Sequence, residues 1–440
     1  MNVALAAVND ILDLVYDRRV GIIRALEVLP TEAGAPDFVH VAARVADPSV
    51  YGGERGSFTV AAAGVDRAAA TARASALALA RYCAALYERE GLPLAAPSEA
   101  TFRIVEPNDF ALYSRAQYAE PGFPFVPFET ETPVRWANAI ELSSGQQKFL
   151  PAAFIWFPFR YLRRSGDLPI APVTASGLAC GDNIATALYA GLCQVIARDG
   201  LAIFWQSRTA PPQVRIDGGG ERLAGLVARF ERTGDRLAIL DVAGDHGLPC
   251  FAIVLISDHA ERPAFVFALA AGLDPAAAIA EALLELAETQ RIAQEARRRR
   301  PPPSAANNWE DVVDWQDHLS FAADPFNREL IAFMLSSEDR RNLLDYDATP
   351  SDSAETDLAT CVTRVKASGH EVYAANLTSE DVTSLGLAVC RVIVPGYQPL
   401  FPGHRVRALG GTRLYEVPQK LGYRGIPRGS SGNAAPYPFV

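Results

Sequence analysis

The sequence predicts an α+β fold in which antiparallel sheets are packed with long helices, and three observations predict it. Residues 18 to 62 contain two stretches, RRVGIIRALEVLP and DFVHVAARVAD, that alternate apolar and polar residues with period two. Three later stretches, at 66–90, within 174–205 and at 275–297, have helical composition, the first of them opening on an aspartate. Short apolar runs such as RLAILDVA and CFAIVLIS lie between the helical stretches and read as buried strands.

In chain order, the two alternating stretches are separated by the turn-forming TEAGAP and pair as antiparallel strands. The Gly-rich turn YGGERGS follows, and then DRAAATARASALALARYCAALYERE forms a helix capped by Asp66. Residues 107–172 are dense in Pro and aromatics and read as loops around two or three short strands. TASGLACGDNIATALYAGLCQVIARDGLAIFW supplies a glycine-punctuated loop and a long helix, with Asp182 or Asn183 as the N-cap. The third helix runs into ARRRRPPP. Its four arginines either complement the helix dipole or grip a phosphate or acidic partner, and the prolines stop it. HEVYAANLTSEDVTSLGLAVCRVIVPG reads strand, helix, strand, and the last forty residues are rich in Pro and Gly.

A chain of 440 residues has room for two or three average domains or one large unit. No composition break is sharp enough to cut it and no period of 20 to 50 residues repeats. One domain over 1–440 is therefore expected, with a peripheral segment near 298–360 and a Pro-rich tail over 424–440.

The formal charge of −10 argues against general nucleic-acid binding, which needs a basic surface. Only positions 148, 366 and 420 are Lys, so nearly all of the 41 basic residues are Arg. Asp10, Asp13 and Asp17 interrupt the N-terminal apolar stretch, which is no secretory signal, and no stretch approaches 18 uncharged apolar residues. A cytoplasmic protein without membrane contact is expected. The six cysteines and six histidines lack metal-ligand spacing, and Cys83, Cys180, Cys193 and Cys390 lie in apolar runs that suit buried reduced thiols.

Five segments, ARASALALARYCAALY, TASGLACGDNIATALYAGLCQVIARD, AGLDPAAAIAEALLELAETQ, DHLSFAADP and RVIVPGYQPLFPGHRVRALGGTRLYEVP, stand in the order of the YcaO family, and nearly the whole chain resembles its SagD-like cyclodehydratase subunits. The resemblance implies a YcaO-like fold and a role in maturing ribosomally made peptides. Such enzymes phosphorylate a backbone amide with ATP and Mg²⁺ after attack by a Cys, Ser or Thr side chain, leaving an azoline; others use sulfide or an amine. It also implies a nucleotide pocket walled by three helices, whose Glu-x-x-Glu-Arg motifs hold the metal ions. Residues three apart project side by side, and Mg²⁺ takes octahedral oxygen ligands.

At those positions this chain has Leu77 and Ala80 followed by Arg81 on the first helix, and Gln194 and Ala197 followed by Arg198 and Asp199 on the second. The glutamate expected after the glycine loop falls on Ala185 or Thr186, and no one-residue shift of the first helix recovers an acid. The third helix keeps Glu285, but the family's Gln and Arg appear as Glu288 and Gln290. Magnesium and a triphosphate would face Leu, Ala, Gln and Ala, at a desolvation cost of several kcal/mol per ion. No cofactor is therefore expected, although ATP and Mg²⁺ are the family's.

Arg81 and Arg198 either bind a phosphate or carboxylate or pair with surface acids such as Asp199 and Glu285. His318 matches an Asp-His pair of the family and is either a proton shuttle or a structural hydrogen-bonder. The tail NAAPYPFV resembles those with which family members thread a terminal carboxylate, here that of Val440, into the active site. The peptide-clamp domain of other members is expected to be absent, so a separate leader-binding protein would deliver the precursor peptide. The expectation is a divergent YcaO protein of azoline or azole maturation that partners an active YcaO subunit, with a homodimer as the other arrangement. The alternative is an amide-modifying enzyme that is ATP-independent or has an altered ATP site.

Overall fold

The computed structural model describes residues 8, 10–32, 34–51, 53, 58–347 and 349–438. The fold is α+β. In chain order its longer helices are α1 (Arg67–Ala84), α2 (Ile184–Gln206), α3 (Gly220–Glu231), α4 (Pro275–Arg299), α5 (Trp315–Ala323), α6 (Ala354–Ala367) and α7 (Arg413–Lys420). Contacts divide the chain into two interleaved units. The first comprises residues 1–30, 39–195 and 351–397, and the second comprises 31–38, 196–350 and 398–440. Helix α2 therefore contributes its residues up to Val195 to the first unit and those from Ile196 to the second.

The first unit holds two sheets. Strands β1 (Ile23–Leu29), β2 (Val39–Val45) and β3 (Thr59–Gly64) form an antiparallel meander. The first two are the predicted pair; β3 was not predicted. The second sheet contains β4 (Leu94–Ala95), β5 (Val134–Glu141), β6 (Gln147–Pro151), β7 (Leu178–Gly181), β13 (Tyr373–Asn376) and β14 (Ala388–Ile393), in the order β4-β5-β13-β14-β7 with β6 on the other edge of β5. Helix α1 packs on β2, β3 and β7 through small side chains, with Ala70, Ala74 and Ala78 wholly buried. Asp66 caps it as predicted, accepting from Ala69 N at 2.8 Å, which satisfies one of the helix's orphan donors. The close packing depends on Gly64, where a Cβ would stand 2.3 Å from Ala70 N.

The second unit is built on β8 (Gln213–Arg215), β9 (Arg236–Asp241), β10 (Cys250–Ile256), β11 (Phe265–Ala271) and β12 (Arg340–Asn342), in the order β11-β10-β9-β8-β12. Every residue of β10 is buried, as its continuous apolar run predicts. Helix α4 covers β10 and β11, with α3 and α5 beside it. Within the stretch 298–350, Trp309, Val312, Phe321 and Met334 are all 7% exposed or less and anchor it to this unit, while most of its other residues are exposed or half-buried.

By length and composition α2 could cross a membrane, yet 72% of its most apolar window is buried inside the fold. Its apolar residues are consumed by core packing, which requires no bilayer.

Candidate functional site

The glycine loop is the first departure from the expected pocket. Residues Leu178–Gly181, read as loop, are strand β7, paired antiparallel with β14. Gly177 has φ +79°, and a Cβ there would stand 2.2 Å from Val392 O; the loop's glycines are spent on close approach within the protein. At the start of α2, Asn183 Oδ1 accepts from Thr186 N at 2.9 Å, and Thr186 Oγ1 donates to Asp182 Oδ1 at 2.6 Å. Asn183 is thus the cap, and Asp182 buttresses it.

In the first unit, α1 presents Leu77 with 42% of its surface exposed and keeps Ala80 buried. Arg81 lies with its guanidinium 4.6 Å from the centre of the Phe157 ring, a cation–π contact. Neither Asp199 nor Glu285 belongs to this unit. On α2, the Gln194 amide donates to Leu178 O at 3.4 Å, which ties the helix to β7. A glutamate at that position has no donor for this bond.

In the second unit, Ala197 is 2% exposed. Arg198 is half-buried, and desolvation pushes its guanidinium below the usual range, while Glu285 and the Tyr437 phenol work in the opposite direction. Glu288 is held by Arg291, with Nη2 2.6 Å from Oε1, and Arg291 also reaches Glu295. Arg291 was not singled out in the sequence, although its spacing of three from Glu288 is the standard signal for such a pair. Gln290 is 6% exposed.

Asp199 is not the surface acid it was expected to be. It is 0% exposed, and Arg413 of α7 grips it with Nη2 2.6 Å from Oδ2 and Nε 3.2 Å from both oxygens. Gln398 N donates to it as well, at 2.8 Å. Arg413 continues to Asp245 at 2.9 Å, and Lys420 closes the network at 3.1 Å. Burial acts to raise the Asp245 carboxyl, but Arg413 and Lys420 outweigh it and hold it below the usual range.

The four-arginine run is tied down locally. Arg297 donates to the carbonyls of Ala260 and Arg262, Arg298 pairs with Glu32, Arg299 with Glu295, and Arg300 with Asp314 and Asp317.

The tail from Asn433 to Pro438 is docked. Asn433, Ala435, Pro436, Tyr437 and Pro438 are buried, and Arg407 donates to Asn433 O at 2.6 Å. Asn433 N in turn donates to Gln206 O at 2.8 Å, on the last residue of α2. Val440, whose carboxylate was a catalytic candidate, lies outside the described residues. His318, on α5, is 1% exposed, with Nδ1 2.8 Å from Tyr437 O. Burial drives its pKa down to about 4, and the contact with the Tyr437 carbonyl offsets only part of that. The neutral imidazole therefore donates from Nδ1 to the tail.

This burial makes a pH prediction. The folded pKa lies below that of the unfolded chain, so between about pH 6.5 and 4 the unfolded state binds more protons and stability falls as the solution is acidified. His404, whose pKa burial also lowers, adds to the same trend. In urea denaturation, His318→Gln is expected to flatten the fall in stability over that window relative to the parent protein.

Among the described residues, no three His, Cys, Asp or Glu side chains form a metal-binding group. Of the candidates, the structure sets Arg198 within the field of Glu285 in the second unit, with Tyr437 of the tail beside it, and His318 against the tail. Leu77, Ala80, Arg81 and Gln194 belong to the first unit.

Residues 61–398 match the family described as YcaO cyclodehydratase, ATP- and Mg²⁺-binding. An uncharacterized protein of Methanothermobacter thermautotrophicus is 26% identical over 402 residues, which cover 88% of this chain and 94% of that protein. A heterocyclase solved in complex with substrate and cofactor shares the fold with a TM-score of 0.80 at 20% identity, over 99% of this chain and 57% of its own. This chain thus spans little more than half the length of that heterocyclase. A chain of the E. coli microcin synthetase McbBCD complex matches with a TM-score of 0.60 at 13% identity, over 93% of this chain and 96% of its own. With the family match running over most of its length, on the α+β fold those proteins share, the chain belongs to the YcaO family.

Proposed function

We propose that this protein is a divergent YcaO subunit in the maturation of a ribosomally synthesised peptide of azoline or azole type, and that it acts beside an active YcaO subunit without hydrolysing ATP itself. One observation carries the reading. Four of the positions where the resemblance places helix carboxylates hold Leu77, Ala80, Gln194 and Ala197, and of these only Gln194 offers a side-chain oxygen. Of the other acids, Glu288 is held by Arg291 and Asp199 by Arg413, while the retained Glu285 lies in the field of Arg198. Mg²⁺ needs several oxygen ligands in octahedral geometry, and a triphosphate without that cation leaves its charge unopposed. These residues do not fit Mg-ATP.

The E. coli relative of the same fold is part of a multi-protein synthetase, and the heterocyclase was solved with substrate and cofactor. By analogy the partners here are a precursor peptide, a leader-binding protein and an active YcaO subunit. A partner subunit needs only its fold and contact surfaces, and the interior of both units is intact.

The tail docked from Asn433 to Pro438 favours a second reading, in which this chain acts on an activated amide without ATP. His318 supports it less, because its buried Nδ1 is engaged with Tyr437 O; we assign it as a positioning residue for the tail.

Reconstitution separates the readings. With precursor peptide and a YcaO subunit carrying both Glu-x-x-Glu pairs, mass spectrometry is expected to show loss of water only when that subunit is present, at a rate raised by this chain. Loss of water with this chain alone would contradict the partner reading.

A further inference from the structure

The second sheet of the first unit contains a break. On the edge of β5 away from β6, β4 pairs with Val134 and Arg135, and Trp136 N donates to Pro93 O at 2.9 Å. Further along the same edge β13 takes over, pairing with Ile140 and Glu141, and Leu142 N donates to Val372 O at 2.9 Å. Two more steps of that register would set Asn138 opposite Asn376, but the ladder stops at Ala374. Main-chain groups alternate between the two edges of a strand. Glu141 N donates to Gln146 O on the β6 side, so the N–H and C=O of Asn138 face the break.

A cavity of about 390 Å³ opens there. Its deep lining includes Ile155, Leu377 and Ala375, which are 5% exposed or less, and its mouth is marked by the exposed Asn138, Ile140 and Asn376. None of its lining residues is charged. Trp156 also lines it, and its indole N–H is buried without an acceptor.

We propose that this break is a docking site for a neutral, extended segment of a peptide, held chiefly through its main chain. A phosphate or carboxylate is excluded because a buried charge would find no counter-charge here. A peptide amide matches what the walls offer: Asn138 C=O accepts its N–H, Asn138 N–H donates to its C=O, and the Trp156 indole donates to a neighbouring carbonyl. Alanines at 137, 139, 374 and 375 leave room for the chain to approach. Strand addition to an open sheet edge is an established mode of peptide recognition, and the volume suits a short segment rather than a folded partner. The inference deepens the reading of this chain as a peptide-handling subunit, on which it rests for the source of the peptide. It makes no use of nucleotide.

The probe is the peptide acetyl-Ser-Val-Ala-Val-Ser-amide, titrated into protein with isotope-labelled tryptophan. The Trp156 indole resonance, assigned with Trp156→Phe, is expected to move saturably. N-methylation of the central alanine of the peptide is expected to weaken binding about tenfold, the loss of one hydrogen bond. Asn138→Pro removes the N–H at the break without touching the β6 ladder and is expected to do the same, and Ala374→Leu is expected to abolish binding by filling the cavity. If either variant misfolds, the methylated peptide on the parent protein decides. An unmoved Trp156 resonance up to the solubility of the peptide, or equal affinity for the methylated peptide, overturns the proposal. Neither result bears on nucleotide binding or on rate enhancement of a partner subunit, so this site and the proposed function fail separately.

Discussion

Replacing Asp199 with alanine is expected to lower stability by about 3–5 kcal/mol, enough to unfold the second unit or abolish soluble expression, because it leaves Arg413 buried with half of its counter-charge removed. Arg413 is 2% exposed, and its guanidinium makes three contacts of 2.6 to 3.2 Å with the Asp199 carboxylate. Asp245 remains at 2.9 Å but cannot follow into the space vacated. The measurement is urea unfolding of Asp199→Ala, Arg413→Met and the double variant Asp199→Leu with Arg413→Met. The double variant is expected to be more stable than either single one, since replacing a whole buried pair with hydrocarbon costs less than orphaning one member. Equal damage from single and double variants would show that the network contributes by packing alone.

Tyr437→Ala should destabilise by about 3–5 kcal/mol, the range for truncating a fully buried aromatic side chain. Tyr437 is 1% exposed, its ring centre lies 5.4 Å from that of Phe401, and its phenol lies in the field of Arg198 and Asp199. Two consequences should appear together. Thermal unfolding should shift down, and limited proteolysis should release the residues after Asn433, because the hydrogen bonds from Arg407, His318 and Trp205 cannot hold the tail once its anchor is gone. A melting temperature within a degree or two of the parent, with the tail still protected, would mean that the tail is a passive strap.

The sequence was most legible where one local rule governs. The caps Asp66 and Asn183 fix the starts of α1 and α2 in the way short polar side chains before a helix do. The continuous apolar run of β10 announced burial on both faces, and the resemblance to the YcaO family made the absence of glutamate at 77, 80, 194 and 197 plain. Elements built of residues with divided preferences were missed. Strand β3 is TVAAAG, whose alanines favour helix, and it becomes a strand because β2 offers an open edge to pair with. Helix α7 contains Pro418, which reads as a breaker, and its first residue, Arg413, is tied to Asp199.

Long-range partners were the other blind spot. Asp199 and Arg413 are 214 residues apart, and nothing in either neighbourhood identifies the other. His318 was visible as a candidate, but its burial and its bond to Tyr437 O depend on where the tail goes, which no local pattern states. The break between β4 and β13 is likewise a property of registers, and the residues around it, mostly alanine and asparagine, carry no motif.

The account rests on the loss of the ligands for a magnesium-bound polyphosphate. Calorimetric titration of the purified protein with Mg-ATP tests it most directly. The account predicts no saturable heat at micromolar to sub-millimolar nucleotide, with or without precursor peptide. Micromolar binding, followed by release of phosphate when precursor is added, would contradict it.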